Sequence, residues 1–323
     1  MRNAIFTACD ARCGDFLRDH WLPSLRDNVC LDGCDVAILD YGLTPQQRAG
    51  IDSQGAIRFA RPRDGFVNNL RFRDLAALLG ETHYDQVMLI DSGDVIFQAD
   101  ISDVFHRNQD MFRAVCEEKY TAQYEYFIST SDFKLEDYKH MVKSLRGKLI
   151  VNTGVIAGPG YKFRALWRAA RDMVLHMQNW GTLQLVLNYL LYSDGFVELP
   201  PRYNFVLMTA KSKYRIRGSR FYDGAGQLIP LVHNAGGSDK LRFVSDFGYG
   251  PGRNRPRRIM PLLLGGLFFG IECWRSIPFI HGKAGKGRVA EAAAGRPHAP
   301  VAAPHLPLVD SPVAGDHATP MPR

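Results

Sequence analysis

The first half of the chain alternates short apolar segments with stretches in which apolar residues recur every three or four positions. The short segments have the length of buried strands, and the longer period is that of amphipathic helices. The strand candidates are Ala4–Thr7, Asp35–Leu39, Ala56–Phe59 and Gln86–Ile90, and the helix candidates are Phe16–Leu25 and Asn69–Leu79. Another helix is expected to begin at Thr44, because Thr44 and Gln47 match a capping box and Pro45 suits the first helical position. This order predicts an α/β fold with a mostly parallel sheet flanked by helices.

A second set of elements follows after Asp91. The patterns predict a short helix near Ile101–Phe105, a strand near Arg113–Cys116 and a longer strand over Leu149–Ile156. They also predict helices over Phe163–Met177 and Thr182–Leu191, and a buried strand over Leu228–His233. We expect residues 1–246 to form a single catalytic domain.

The chain changes character near Phe247. Residues 248–258 are rich in Gly, Pro and Arg, and Ile259–Ile271 is almost wholly apolar. In residues 282–323, Ala and Pro supply 17 of 42 residues and no aromatic residue occurs. Such a composition buries too little apolar surface to offset the entropy of ordering. We therefore expect a basic and apolar segment over 247–281, followed by a disordered tail over 282–323.

The positive charge is concentrated in the same C-terminal part. Residues 241–323 hold 11 Lys and Arg against 5 Asp and Glu, a net +6 out of +7 for the whole chain. Thirteen apolar residues are too few to span a bilayer, which needs about 20, but they suffice for a segment lying in the interface. Arg253, Arg255, Arg257 and Arg258 precede this block, so an anionic membrane surface is the expected partner, with a last core helix as the alternative. Nucleic acid is not favoured, because the arginines adjoin an apolar block.

The beginning of the chain and the cysteines bear on its compartment. Met1 to Thr7 runs into a strand pattern without the apolar run of a secretory signal, so we expect residence in the cytoplasm, peripheral on the inner face of the cell membrane if the basic segment binds lipid. None of the six cysteines lies beside a His at zinc-site spacing. They are expected to be reduced thiols that serve in packing.

The segment from Val87 to Phe97 carries the strongest chemical signal. An apolar strand ends, Asp91 and Asp94 follow on either side of a Ser-Gly pair, and apolar residues resume. In an open α/β sheet, the loops at the carboxyl ends of the strands form the ligand crevice. Two carboxylates crowded there repel each other unless a cation lies between them, and hard oxygen ligands suit Mg²⁺ or Mn²⁺. The alternative is that both aspartates simply form a turn.

This segment resembles the metal-binding segment of family 8 glycosyltransferases, a group that includes glycogenin and bacterial lipooligosaccharide galactosyltransferases. The family pattern is an apolar strand, Asp-x-Asp, and then an Asp-Leu-x-x-Leu-like helix, which Asp100–Phe105 fits. The resemblance implies a GT-A fold, a Rossmann-like mixed sheet that binds nucleotide-diphospho-sugars. The chain departs from the pattern in one respect, since two residues instead of one separate Asp91 from Asp94.

Further segments match the family in order over residues 3–240. Ile5–Asp10 resembles the first strand, whose end contacts the nucleotide, and Asn69–Leu75 resembles the helix whose Arg reaches the donor sugar or its phosphate. Val151–Ile156 is similar to the Asn-Ser-Gly-Val strand, and Gly154 within it indicates the close approach of a ligand or another backbone. Thr182–Tyr189 resembles the Asp-Gln-x-x-Leu-Asn helix, with Leu183 at the Asp position. Leu199–Asn204 and Leu231–Lys240 fit the two segments that follow.

The resemblance implies a set of site residues. The metal ligands would be Asp91, Asp94 and His233, with Mn²⁺ or Mg²⁺ as the ion. The nucleotide-sugar donor, with a UDP-sugar favoured, would meet Thr7, Ala8, Asp10, Arg73, Gly236 and Lys240. The catalytic residues would be Gln184, Asn152 and Arg73. The reaction would transfer a sugar, with retention of configuration, to a glycan, a lipid-linked glycan or another acceptor, and Gln184 would steady the oxocarbenium-like centre.

Two alternatives belong to other functional classes. A sugar-phosphate nucleotidyltransferase would carry a glycine-rich loop after the first strand, but Ala8–Asp15 contains only Gly14. A degenerate relative would bind a nucleotide sugar or a glycan without turning it over, and both Leu183 and the Asp91–Asp94 spacing are compatible with it. Hydrolysis of the donor in the absence of acceptor distinguishes this second alternative from an active enzyme.

Overall fold

The computed structural model describes residues 1–121, 128–236 and 242–257, together with Gly266, and it describes side chains in β6 as far as residue 118. The strands are β1 (Asn3–Cys9), β2 (Cys34–Asp40), β3 (Ile57–Ala60), β4 (Gln86–Ile90), β5 (Val95–Phe97), β6 (Arg113–Thr121), β7 (Leu149–Pro159), β8 (Val197–Glu198), β9 (Phe205–Val206), β10 (Arg215–Arg217), β11 (Arg220–Tyr222), β12 (Leu231–His233), β13 (Val244–Ser245) and β14 (Arg255–Pro256). The α-helices are α1 (Gly14–Phe16), α2 (Leu22–Asn28), α3 (Pro45–Asp52), α4 (Val67–Glu81), α5 (Leu135–Leu145), α6 (Gly160–Arg171) and α7 (Thr182–Asp194). A π-helical turn (Leu17–Trp21) joins α1 to α2, and short 3₁₀ helices cover Ser102–His106, Thr130–Asp132 and Pro201–Tyr203.

Seven strands form the main sheet in the order β3-β2-β1-β4-β7-β6-β8. β3, β2, β1 and β4 are parallel, β7 is antiparallel to both β4 and β6, and β8 is parallel to β6. The predicted α/β class with a mixed sheet flanked by helices is therefore confirmed, with β7 as the strand that reverses direction.

Both faces of the sheet are covered, as β1 illustrates. All seven of its residues are buried. Phe6 packs into a cluster that includes Leu75 of α4, whereas its neighbour Ile5 faces the opposite cluster, which includes Trp21. A strand buried on both faces has no solvent-facing side, so its sequence does not alternate between apolar and polar residues. This is why β1 reads as a mostly apolar run.

A second, three-stranded sheet has the order β5-β12-β9 and leads directly to the candidate site. β12 pairs antiparallel to β5, with His233 opposite Val95, and parallel to β9. Val232 of β12 packs in a cluster with Leu207 and Ala210, which follow β9, and with Phe243, Val244 and Phe247. The pairing of β12 with β5 brings His233 beside the turn that follows β4.

The helix start at Thr44 is confirmed in detail. The Gln47 amide donates to Thr44 Oγ1 at 3.2 Å, and the Thr44 amide donates to Gln47 Oε1 at 3.0 Å. The helix expected over Phe163–Met177 ends earlier, at Arg171. The Leu175 amide donates to the Asp132 carbonyl, and the Met177 carbonyl accepts from the Phe66 amide, so this backbone is engaged outside a helix.

Described residues beyond 246 pack against the rest of the structure. Phe247 stacks on Phe16 with ring centroids 5.9 Å apart, and the Arg257 amide donates to the Phe243 carbonyl at 2.8 Å. Lys240, the block Ile259–Ile271 and the tail 282–323 lie outside the described residues. Within the described part of the chain, no helix is long and apolar enough to cross a membrane. The five cysteines described there are free thiols.

Candidate functional site

Asp91 and Asp94 occupy the turn between β4 and β5. Asp91 follows the last residue of β4, and its amide donates to the Gly154 carbonyl on β7 at 2.8 Å. The indole Nε1–H of Trp21 donates to the Asp91 carbonyl at 2.9 Å. Ser92 between the two aspartates donates through Oγ to the Ala8 carbonyl at 2.7 Å. The turn is therefore fixed to β7, to the π-helical turn and to the end of β1.

His233 is the last residue of β12, and strand pairing brings it beside this turn. The Asn234 amide donates to the Asp94 carbonyl at 2.8 Å, which extends the pairing of β12 with β5 by one residue. His233 Nε2 lies 3.4 Å from Asp94 Oδ1 and 3.8 Å from Asp91 Oδ2. One ligand atom from each of the three side chains lies within 4.8 Å of the others.

Asp94 and His233 each stabilise the charged form of the other. Burial opposes ionisation of Asp94, but His233, Arg242 and Arg71 outweigh it and lower the pKa of the Asp94 carboxyl. Burial likewise opposes the charged form of His233, and the carboxylates, Asp94 foremost, outweigh it and raise the pKa of the imidazole. Two carboxylates and one imidazole nitrogen that converge at these distances form a possible metal site.

Arg71, not Arg73, contacts the aspartate turn. Its guanidinium pairs with the Asp91 carboxylate through Nη1 and donates from Nη2 to the Thr153 carbonyl at 2.9 Å. Arg73 lies two residues further along α4 and instead pairs with Asp64 and Asp74, at 2.8 Å in each case. Residues two apart point to different sides of a helix, so only Arg71 of these two reaches the turn, and the contact of Arg73 with the donor stays a prediction.

The two arginines differ in their expected contribution to stability. Arg71→Met removes buried charge-assisted hydrogen bonds, so we expect the free energy of unfolding to fall by about 1.5–3 kcal/mol. Arg73→Met removes more exposed ion pairs, and we expect a loss of under about 1 kcal/mol. Urea unfolding of both variants measures the difference. Equal losses would mean that the Arg71–Asp91 pair does not support the turn.

Asn152 on β7 lies at the site, but its side chain is largely occupied. Its Nδ2 donates to Glu117 Oε1 at 2.7 Å, and its Oδ1 accepts from the Gly154 amide and from Asn204 Nδ2, at 3.0 Å each. Burial raises the pKa of the Glu117 carboxyl, although its hydrogen bond from Asn152 acts in the opposite direction. Asn204 in turn contacts His233, with its Oδ1 3.0 Å from Nδ1.

Gln184 lies on the first turn of α7 and reaches β7 beside Asn152. Its Nε2 donates to the Val151 carbonyl at 2.8 Å, and its Oε1 accepts from the Thr153 hydroxyl. Thr153 also provides the carbonyl that Arg71 contacts, so Gln184 is connected to the aspartate turn through Thr153 and Arg71. The side chain remains partly exposed.

Three of the residues predicted to meet the donor, Thr7, Ala8 and Asp10, lie at the end of β1 or directly after it. Thr7 is fully buried and its hydroxyl donates to the Ile90 carbonyl at 2.6 Å, whereas Ala8 is 7% exposed. The Asp10 carboxylate pairs with Arg12 at 3.0 Å and with Arg63 at 3.2 Å. Gly236 follows β12, and a Cβ built there would lie 3.0 Å from Arg242 Cγ.

Arg71, Glu117, Asn204 and Arg242 were not singled out as site residues from the sequence. Arg242 Nη2 lies 3.3 Å from Asp94 Oδ2. Only Asn204 had a local signal, because it ends the Leu-Pro-x-x-aromatic-Asn stretch. The others are ordinary charged residues within strands, helices or loops, and their neighbours in the site are remote in sequence.

No family model and no curated protein sequence matches the chain. The galactosyltransferase LgtC, solved with donor and acceptor sugar analogs, is 16% identical over 72% of this chain and 87% of LgtC, with a TM-score of 0.45. An active-site mutant of LgtC is 17% identical over 74% of this chain and 89% of the mutant, with a TM-score of 0.46.

A third solved structure, the bifunctional glycosyltransferase WbbM in its apo form, is 15% identical over 63% of this chain and 39% of WbbM, with a TM-score of 0.45. LgtC and WbbM are both glycosyltransferases.

Proposed function

We propose that this protein is a metal-dependent glycosyltransferase that moves a sugar from a nucleotide-sugar donor, with a UDP-sugar favoured, to a glycan, a lipid-linked glycan or another acceptor. The convergence of Asp91, Asp94 and His233 at the end of β4 carries the proposal. These three side chains would hold Mn²⁺ or Mg²⁺. When bound, such an ion supplies Lewis-acid stabilisation of the negative charge on a nucleoside diphosphate leaving group.

Two arginines place fixed positive charge beside the proposed metal ligands. Arg71 holds the Asp91 carboxylate through a buried pair, and Arg242 lies beside Asp94. Fixed charges of this kind are usually the largest catalytic contribution where negative charge develops. We propose that Thr7, Ala8, Asp10, Arg73, Gly236 and Lys240 meet the donor, as the family resemblance implies.

A panel of nucleotides tests the donor and the metal together. UDP, GDP and CDP are added to the full chain with and without Mn²⁺, and the melting temperature is measured. A ligand that binds only the folded state raises its stability. We expect UDP with Mn²⁺ to give the largest shift. The proposal fails if no nucleotide shifts the melting temperature in the presence of the metal.

Gln184 is proposed to lie beneath the anomeric carbon in a transfer that retains configuration. We expect Gln184→Ala to lower turnover much more than it weakens donor binding, because a contact made in the transition state affects kcat selectively. Gln178→Ala is the matched control, since Gln178 is exposed and bonds to Met177 and Asp64. Donor hydrolysis and UDP titration give kcat and Kd. Unchanged turnover would leave Gln184 as a structural amide that connects α7 to β7.

The basic and apolar segment is proposed to hold the enzyme on an anionic membrane surface in the cytoplasm. Arg255 is exposed at the end of the packed body, directly before the apolar block. We expect the full chain to float with anionic liposomes at low salt and less at high salt, because each cation near the surface contributes about 1 kcal/mol. A truncation after Arg257 keeps the packed body and is the control. A full chain that does not float at low salt would contradict this proposal.

A further inference from the structure

We propose that Glu117, Asn152 and Asn204 form a hydrogen-bonded chain that fixes the tautomer and ring orientation of His233, so that its Nε2 lone pair faces Asp91 and Asp94. This inference deepens the proposed function and rests on it for its purpose, which is to prepare His233 as a metal ligand. The three residues act through His233 and are positioning residues.

The contacts of this chain are short and continuous. Asn152 Nδ2 donates to Glu117 Oε1 at 2.7 Å, and Asn204 Nδ2 donates to Asn152 Oδ1 at 3.0 Å. Asn204 Oδ1 then lies 3.0 Å from His233 Nδ1. Asn152, Asn204 and His233 are 8%, 1% and 3% exposed, so water does not compete freely for these groups.

The direction of every bond in the chain follows from one backbone group. The Gly154 N–H can only donate, and it meets Asn152 at 3.0 Å, so the atom it meets must be the amide oxygen of Asn152. Asn204 faces that same oxygen and must present its own NH₂ to it. The amide oxygen of Asn204 is therefore the atom that faces His233.

An amide oxygen only accepts, so His233 Nδ1 must carry the hydrogen. In the neutral imidazole the other nitrogen, Nε2, then has the lone pair, and Nε2 is the atom 3.4 Å from Asp94 Oδ1. The result does not depend on whether Glu117 is ionised, because either form offers an oxygen to Asn152. Partners that hold the remote nitrogen of a metal-binding His in this way typically change metal affinity 10–100-fold when they are removed.

The hydrogen-bonded chain gives Asn152 a role that the sequence did not indicate. Its oxygen accepts two hydrogen bonds, and one of its two N–H groups is donated to Glu117. One N–H remains for any substrate, so the main work of Asn152 is to connect β7 to Asn204. Asn204 closes the 3₁₀ turn Pro201–Tyr203, with its amide donating to the Pro201 carbonyl at 3.0 Å. The Leu199–Asn204 stretch thus has a function in holding His233.

The first test is the tautomer itself, measured in the full-length wild-type protein. Histidine labelled with ¹⁵N and long-range ¹H–¹⁵N spectra distinguish the nitrogen that bears hydrogen, and His233→Gln identifies the His233 signal among the ten histidines. The spectra are recorded at a pH high enough for the ring to be neutral, because the nearby carboxylates favour the charged ring with hydrogen on both nitrogens. We expect the neutral ring to carry its hydrogen on Nδ1. A neutral His233 with hydrogen on Nε2 would overturn the proposal, whether or not any metal binds.

The second test uses variants and Mn²⁺ alone. Asn204→Leu keeps the approximate volume of the side chain and removes both the amide donor and the amide acceptor. We expect Mn²⁺ affinity to fall 10–100-fold and His233 to lose its preference for hydrogen on Nδ1. Glu117→Gln still offers an oxygen to Asn152 and should retain both properties. Asn28→Leu, which removes an amide bonded to Ser24 and Phe97, controls for lost hydrogen bonds elsewhere.

The outcomes separate this inference from the proposed function. If the wild type does not bind Mn²⁺, the proposed metal site fails. The tautomer of His233 in the wild type still tests whether the hydrogen-bonded chain orients the ring. If the wild type binds Mn²⁺ and Asn204→Leu binds it equally well with an unchanged tautomer, the chain does not position His233 and the inference is wrong.

Discussion

Asp94→Asn and His233→Ala should each abolish the Mn²⁺-dependent part of the stabilisation by UDP. Each variant removes one of the three side chains that converge in the described part of the chain, and Mn²⁺ or Mg²⁺ sites of this type depend on few protein ligands. At 100 times its Kd, a ligand stabilises the folded state by about 2.7 kcal/mol. For a body of this size, that corresponds to a shift of roughly 5–10 °C, which we expect both variants to lose.

Two control variants separate loss of the site from general damage. Asp52→Asn removes a carboxylate that pairs with Arg58, and His83→Ala removes an imidazole whose side chain is 85% exposed beside Asp85. Both should respond to UDP and Mn²⁺ as the wild type does. Each shift is measured from the ligand-free melting temperature of the same variant. If Asp94→Asn and His233→Ala also respond normally, the metal site lies elsewhere.

Gly154→Ala should disrupt the same site from the opposite side. A Cβ at residue 154 would lie 2.6 Å from His233 Cε1 and 2.8 Å from both Asp91 Oδ2 and Asn152 Oδ1. Real Cβ atoms do not approach other atoms this closely, so His233 or Asp91 must move. Because a metal site depends on ligand positions, we expect a loss of Mn²⁺ binding comparable to that of His233→Ala. Calorimetric titration with Mn²⁺ measures it.

Gly80→Ala is the matched control for this substitution. Gly80 lies in α4, and a Cβ there meets no atom within 4 Å. Replacing a helical glycine with alanine is expected to stabilise the fold by about 0.5–1 kcal/mol and to leave Mn²⁺ binding unchanged. If Gly154→Ala binds Mn²⁺ as tightly as Gly80→Ala, the close approach at Gly154 has no role in the site.

Much of the fold could be predicted because its signals are local. The first four strands were predicted to within two residues at each end, since each is a short apolar run between turn residues. The start of α3 followed from the hydrogen bonds of Thr44 and Gln47, which are only three residues apart. In contrast, no helix was predicted where α5 lies, and α6 ends before its pattern does because residues 175 and 177 bond to other segments.

The sequence by itself determined which carboxylates would follow β4, that a close approach would occur at Gly154, and which histidine would end an apolar strand. It could do so because strand ends, glycines inside strands and short motifs are properties of neighbouring residues. Only the tertiary structure decided that β12 pairs with β5, which places His233 beside Asp94 across 139 positions, and that Arg71 rather than Arg73 contacts Asp91. Strand pairing and helix rotation depend on how the whole core packs, and no local pattern specifies them.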